Sequence, residues 1–480
     1  MNIRIKMHDI AIGCALLLAT ACSLPPALVH RPENKNTPAR YSNNGSQDST
    51  NTGKIQWRQY FTDPNLVALI DTALRNNQEL NITIREIEIA RNEVRARKGE
   101  YLPFVGLRGG AAVEKVGRYT TLGAAEHANE IAPGKETPDP MHDYYLGAYA
   151  NWEVDIWQKL RNAKRAAAMR YLASVEGRNF TITNLIAEIA SSYYELLALD
   201  NQLILVKQNI EIQSNALEIV RMQKQAARVT ELAVRRFEAQ VLDTRELQFS
   251  IQQNIVETEN RINFLIGRYP QPVPRSTDAW GALVPPAVTA GIPSQLLRNR
   301  PDIRQAELEL IAAKLDVKSA RANFFPRLGI SAGVGFQAFN PSYLFTAPES
   351  LIYSLAGDLM QPLINRNAIK ATYYNANAKQ IQSIYNYERT ILNAYIEVAN
   401  QVSNISNLSQ SYELKVQQVA ALTQSVTIAN NLFSSARADY MEVLLTQRDA
   451  LETRFELIDT RMQQMHAVVN IYRALGGGWN

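Results

Sequence analysis

Cysteine and histidine are nearly missing from this 480-residue chain, which has two cysteines, both before residue 23, and five histidines. A disulfide framework in the body is thereby excluded. His8, His30, His127 and His142 show no metal-ligand spacing. Long apolar runs are missing as well. Ala11 to Ala21 is the clearest one, and it falls well short of the roughly 20 residues that a membrane-spanning helix needs. Nor is there an excess of one charge: the formal net charge is +4, with Arg4 and Lys6 contributing two of the positives at the N-terminus. That balance carries no electrostatic footprint for nucleic acid. A nucleophile elbow, a phosphate-binding glycine loop, a zinc motif and a paired-acid site are all lacking, so the chain is not expected to be an enzyme or to need a cofactor.

What is present is an internal duplication. A polar helical stretch runs into Tyr101-Leu102-Pro103 and a glycine-rich strand from Phe104 to Gly110. Much later another helix runs into Phe324-Phe325-Pro326 and a second such strand, Arg327 to Gly335. A repeat at that scale marks a duplicated architectural unit. Tyr144 to Val154 alternates, with Leu146, Ala148, Ala150, Trp152 and Val154 on one face and Tyr145, Gly147, Tyr149, Asn151 and Glu153 on the other. The alternation is cleaner from Leu328: Ile330, Ala332, Val334 and Phe336 share its face, while Gly329, Ser331, Gly333, Gly335 and Gln337 oppose them. Leu351, Tyr353, Leu355 and Leu359 supply a fourth strand. Strands of about ten residues, apolar on one face and small or polar on the other, suit a membrane β-barrel.

The helices are the second anomaly. Asp63 and Pro64 give a helix cap and a first-turn proline, and the pattern predicts one helix onward to about Glu100. From Asn365 to Ser434 there is no proline or glycine. Ile381, Ile384, Ile391, Tyr395, Val398, Val402, Ile405, Tyr412, Val416 and Val419 keep close to a 3.5-residue seam, interrupted at Glu388 and Ser409. Trp157 to Gln225 is comparably long, so each helix would extend about 100 Å. Val229–Ile266 and Asp439–Leu475 are predicted to return antiparallel to them.

The N-terminus reads as a secretory leader, 1–21, ending at Cys22. Ala19-Thr20-Ala21-Cys22 resembles a lipoprotein processing site, although Leu18 lies one place too far from the cysteine; Cys14 is a weaker alternative. A covalent lipid is expected on Cys22, and Ser23 resembles outer-membrane sorting. Residues 22–56 follow as a tether rich in Asn, Ser, Thr and Pro with little to bury. The first repeat is assigned to 57–267, with strands near 101–116 and 143–156. A Pro-rich linker takes 268–292. The second repeat takes 293–480, with strands near 324–340 and 350–363.

With these features in view, the chain resembles the outer-membrane factors, the trimeric channel-tunnel proteins of tripartite efflux and secretion systems. It is most like their lipoprotein branch. The likeness runs from about Trp57 to the C-terminus. It is strongest over Gly291-Ile292-Pro293-Ser294, Leu297, Arg300-Pro301-Asp302-Ile303, Ala306-Glu307, Ala312-Ala313, Ala320-Arg321-Ala322 and Phe324-Phe325-Pro326, and it closes on Leu475-Gly476-Gly477-Gly478-Trp479. The resemblance implies a mainly α protein with a membrane β-barrel. Each chain would give four strands to a trimeric twelve-stranded barrel and four long periplasmic elements to an α-helical barrel. It also implies an outer-membrane efflux duct whose partners are two further copies, a periplasmic adaptor, an inner-membrane efflux transporter of the RND type and outer-membrane lipid. A protein-secretion channel and a non-conducting coiled-coil lipoprotein are the alternative readings.

The resemblance places the closing tip and adaptor surface at two hairpins, near Gln225 to Glu231 and Ser434 to Glu442. Candidate residues there are Arg228, Thr230, Glu231, Arg437, Asp439, Tyr440 and Glu442. Ala227 and Ala436 stand where the family commonly has glycine. Arg228, Arg437 and Asp439 read either as ion pairs that hold the tip shut or as solvated charges. Glu413 is the last acid before Asp439, so the carboxylate ring of many relatives is not evident. Tyr101, Pro103, Phe324, Phe325 and Pro326 read either as membrane-interface anchors or as packing inside the helix–strand junction. Arg300-Pro301-Asp302 reads as a structural helix start, and Met462, Met465 and His466 as ordinary packing on one helical face.

Overall fold

The computed structural model describes residues 31–41, 50–276, 280, 285–362, 364, 366–435 and 437–479. Cys22, the leader and Ala436 lie outside them. Two compact units are present. The first is built chiefly from Glu88–Leu172 and Leu308–Tyr385, the second from Glu33–Ile87, Ala173–Glu307 and Asn386–Asn480.

Helix α1 (Pro64–Asn76) opens as its sequence dictates. Asp63 accepts the Asn65 and Leu66 amides at 2.8 and 3.4 Å, and Pro64 fills the first helical position. The single helix predicted onward to Glu100 is instead two, because the chain breaks at Asn77 before α2 (Gln78–Tyr101). Asn77 is buried, its carboxamide oxygen caps the Leu80 amide, and its Nδ2 donates to the Leu265 carbonyl. A side chain that caps one helix and ties down another outweighs the continuous apolar pattern.

Strand β1 (Phe104–Glu114) is followed by a folded loop holding α3 (Thr121–Ala128) and the ribbon of β2 (Glu130–Ala132) and β3 (Lys135–Glu136). Then come β4 (Met141–Val154), α4 (Lys159–Gln225) and α5 (Glu231–Ile266). The second half supplies α6 (Pro301–Ala322), β5 (Arg327–Ala338), β6 (Leu351–Met360), α7 (Asn367–Ser434) and α8 (Tyr440–Ala474). No helix among the described residues is long and apolar enough to cross a membrane.

The first unit carries a four-stranded antiparallel sheet in the order β1-β4-β5-β6. Its register aligns the alternating faces read from the sequence. Val105, Ala150, Ala332 and Leu355 form one row, and Leu107, Ala148, Val334 and Tyr353 the next. Gly106, Tyr149, Gly333 and Ser354 form a row on the opposite face.

The second unit has the helical core. Leu66, Ile70 and Ala73 of α1 meet Ile186, Ile189, Tyr193 and Leu197 of α4, Ile262 and Ile266 of α5, and Val469 and Tyr472 of α8. Each leucine, isoleucine or valine among them that is removed from water contributes about 1.5–3 kcal/mol. Met465 is buried in this cluster with Met462 against it, and the neighbouring His466 ring contacts the Ser191 carbonyl at 3.0 Å.

The stretch read as a tether forms no helix or strand over 31–41, and it makes specific contacts. Asn34 N–H donates to Glu388 Oε1 (3.0 Å), Lys35 pairs with Glu307 (2.7 Å), and Tyr395 Oη donates to the Arg40 carbonyl (3.0 Å). Tyr41 is buried and stacks on Tyr395 at 5.6 Å. A mean composition undercounts what a single tyrosine can bury.

Candidate functional site

Three parts of the molecule hold the residues that the sequence singles out: the sheet, the helix–strand junctions and the paired hairpins. On the sheet, the apolar face is bare. Leu107 is 85% exposed, Tyr353 83% and Leu355 79%, and Val105, Val113 and Val334 are also exposed. So large an uncovered apolar face does not belong against water. Among the described residues, both edge strands, β1 and β6, have a neighbour on one side alone within the chain. Such a long unpaired edge in lipid leaves a row of backbone groups without partners.

At the first junction, Tyr101 ends α2 half-buried, and its carbonyl accepts Trp152 Nε1 at 3.2 Å. Arg161 lies over its ring at 5.8 Å, while Pro103 is exposed. At the second, Phe324 is 3% exposed and packs edge-on against Tyr373 at 5.7 Å. Phe325 stacks on Trp157 at 4.6 Å, and Trp157 Nε1 donates to the Pro326 carbonyl at 2.8 Å. Neither Trp157 nor Trp152 is assigned to a junction by the sequence motifs. Their signal is local: each lies within a few residues of the end of a strand that feeds a long helix.

The hairpins are built alike. At the end of α4, Ala227 N–H donates to the Lys224 carbonyl and Arg228 N–H to the Gln223 carbonyl, each at 2.9 Å. This is a Schellman turn. Its left-handed position is held by Ala227, with φ 55°, where α5 ends on a glycine, Gly267, with φ 77°. Thr230 then caps α5, its Oγ1 accepting the Ala233 amide at 3.4 Å. In the second hairpin Arg437 N–H donates to the Leu432 carbonyl at 2.9 Å, the same long turn bond, and Asp439 stands at the cap of α8 without a side-chain capping bond. Beneath both turns Leu217, Val220, Val234, Phe237 and Leu444 form one buried cluster, with Val229 and Tyr440 at its margin.

The charges sort into two groups. Glu231 pairs with Lys224 and with Arg235 (2.9 Å), and the Lys224 hydrogen bond holds its carboxyl below the ordinary range. Arg235 also reaches Glu238 (2.9 Å). Lys224, Arg235 and Glu238 are not among the residues that the sequence motifs single out, although Glu231 and Arg235 have the four-residue helical spacing of an ion pair. These exposed pairs contribute little to stability. Arg228, Arg437, Asp439 and Glu442 are exposed and form no ion pair within the chain among the described residues.

A left-handed alanine costs about 1–2 kcal/mol relative to glycine. Ala227→Gly should therefore tighten the first turn by up to about 1 kcal/mol after the extra freedom of the unfolded glycine is deducted. Hydrogen exchange at the Ala227 and Arg228 amides should slow. Faster exchange there would mean that the turn is not limited by backbone strain.

Away from the hairpins, Arg300 does more than start a helix. Its side chain is 6% exposed and makes a two-pronged bond to Asp302 (3.0 and 2.6 Å). It also donates to Glu397 (2.7 Å) and to the Ala474 carbonyl at the end of α8 (2.8 Å). Burial works against its charge, but the Asp302 and Glu397 bonds outweigh that and raise its pKa.

The model of the outer membrane efflux protein family matches residues 69–268 and 292–477, the greater part of the chain. The chain belongs to this family. The gap between the two matched segments falls in the Pro-rich stretch. Among relatives of this efflux protein, the pyoverdine export outer membrane protein OpmQ of Pseudomonas aeruginosa is 27% identical, over 99% of this chain and 98% of that one. The probable outer membrane lipoprotein SilC of Salmonella typhimurium is 26% identical, over 99% of each. In fold, the efflux protein matches the open state of the MtrE outer membrane channel of Neisseria gonorrhoeae, with a TM-score of 0.81 at 22% identity, covering 95% of this chain and 98% of that one. The protein is an outer-membrane efflux channel component, and its bare apolar sheet face is the part that such a location accounts for.

Proposed function

We propose that three copies close their sheets into one twelve-stranded barrel and their long helices into an α-helical barrel, giving a passive exit duct for small toxic compounds. The observation that carries this is the sheet: an exposed apolar face bounded by two unpaired edges, β1 and β6. Pairing β6 of one copy with β1 of the next leaves no edge, which lipid requires. A covalent lipid on Cys22 adds a second attachment to the outer membrane, since a single acyl-type anchor holds only weakly. Energy would come from an inner-membrane transporter of the RND type through a periplasmic adaptor that meets the paired hairpins. The adaptor opens the tip by binding its open form better than its closed form.

Among the described residues, Arg228, Arg437 and Asp439 have no ion-pair partner within one chain, which fits ion pairs made between copies that hold the mouth shut. Planar-bilayer conductance of the purified protein, with its mass measured on the same sample, tests the reading. Trimers with discrete conductance steps are expected, and replacement of Arg437 by Ser or Asp439 by Asn should raise the resting conductance. Correctly folded, lipidated monomers that never conduct would overturn the duct. Trimers whose conductance ignores both substitutions would remove the ion-pair lock and leave the duct standing.

A further inference from the structure

The polar face of the sheet carries two tyrosines in an unusual posture. Side chains on a strand ordinarily stand away from the sheet. Tyr145 pairs in register with Gly110, and Tyr149 lies between Gly106 and Gly333. A Cβ built on Gly110 would sit 2.6–2.8 Å from Oη, Cζ and Cε1 of Tyr145. One on Gly333 would sit 3.0 and 3.1 Å from Cδ1 and Cε1 of Tyr149. Each ring therefore lies down along the sheet in the space where a neighbouring side chain would begin. Both tyrosines are half-buried. On the same face, from strand β1, the Arg108 guanidinium lies 5.2 Å from the centre of the Tyr149 ring, a cation–π contact that helps hold it in place.

We propose that Gly110 and Gly333 are calibre-determining residues, which set the width of the passage by letting Tyr145 and Tyr149 lie flat against its wall. The inference rests on the barrel reading, in which this face lines the passage. A ring lying flat takes up about 3.5 Å of wall, its van der Waals thickness, whereas a ring standing up projects by its whole length. In a trimer each change is made three times around one bore, so a small tilt at one position becomes a constriction. Gly335 serves a different end. A Cβ there would meet the Gly147 Cα and the Leu146 carbonyl at 2.6 Å, so that glycine permits the pairing of β4 with β5 and is unsuited to the test.

The test uses Ser331, on the same face two residues nearer α6 than Gly333. A thiol placed there by Ser331→Cys is reached from the cell exterior past both tyrosines. Its labelling rate is measured in intact cells with a small and a bulky membrane-impermeant maleimide, against the parent protein as background. Gly333→Ala or Gly110→Ala should slow the bulky reagent several-fold and leave the small one nearly unaffected. Adding Tyr149→Ala to the first, or Tyr145→Ala to the second, should restore the rate. The two glycine variants are independent, so failure of one to assemble leaves the other to decide. Unchanged bulky-reagent rates in an assembled glycine variant would overturn the calibre assignment. A thiol at 331 that resists even the small reagent in assembled protein would overturn the barrel reading on which the assignment rests.

Discussion

Replacing Arg300 with methionine should cost about 3–5 kcal/mol of stability, the usual consequence of removing one member of a buried hydrogen-bonded ion pair. The loss has two sources. The Asp302 carboxylate, 17% exposed, is left without its two-pronged partner, and the carbonyl of Ala474 at the end of α8 loses its donor. Arg300→Lys should recover little, because an ammonium cannot reproduce a planar fork that serves Asp302, Glu397 and a carbonyl together. Glu397→Gln should cost much less, since the Glu397 side chain is 46% exposed and water can replace it. Thermal unfolding of the three variants in one detergent would rank them. A Glu397→Gln loss as large as that of Arg300→Met would show that the clamp is governed by its exposed member rather than by the buried fork.

On the proposed barrel reading, Leu355→Arg should destabilise the assembled protein by about 2–4 kcal/mol per chain, the cost of a basic side chain on a lipid-facing strand position near mid-depth. Leu355 is 79% exposed in the isolated chain and shares its row with Val105, Ala150 and Ala332, which places it well inside the apolar band. Ser354→Arg, one residue away on the opposite face, should be tolerated. Urea titration of both variants in lipid vesicles separates the cases. Equal losses at 354 and 355 would mean that the two faces do not meet different solvents.

That contrast between neighbours is legible in the sequence because a strand repeats every two residues, so alternation alone assigns faces. The register shows Leu328, Ile330, Ala332 and Val334 aligned with Leu359, Gly357, Leu355 and Tyr353, and Gly329, Gly333 and Gly335 on the reverse face. The helical seam is less legible. Ile384, Ile391 and Val398 are buried as expected, but the alternate positions are Tyr387, Ala394, Leu408 and Lys415, each one residue earlier than the predicted seam through Glu388, Tyr395, Ser409 and Val416. The apparent interruptions at Glu388 and Ser409 vanish once Tyr387 and Leu408 take those places. Lys415 is concealed from an apolar count because it buries its stem and pairs with Glu456. The turn at Ala227 is the least legible part. An alanine in the left-handed region contradicts its own propensity, and only the packing beneath the turn, around Phe237 and Leu444, supplies a reason to tolerate it. Arg300 escapes for another reason. Its motif is plain, but two of its partners lie far along the chain, at Glu397 and Ala474, where no spacing rule reaches.

The aromatic stitch in the second unit has a consequence for biogenesis. Tyr60 Oη donates to the Val468 carbonyl and Tyr472 Oη to the Ile55 carbonyl, partners separated by 408 and 417 residues. The two rings stack at 4.1 Å, and a Cβ on Gly53 would collide with Leu475. On the ribosome, and during export in the same order, Ile55 and Tyr60 emerge among the first residues of the folded body and must wait for almost everything that follows. Until α8 arrives, the apolar faces of α1 and α4 lack part of their cover, a state open to aggregation and proteolysis. Exported chains truncated before Val468 should therefore remain strong clients of periplasmic holding factors, from which the full-length chain, with the segment that holds Tyr472, is released.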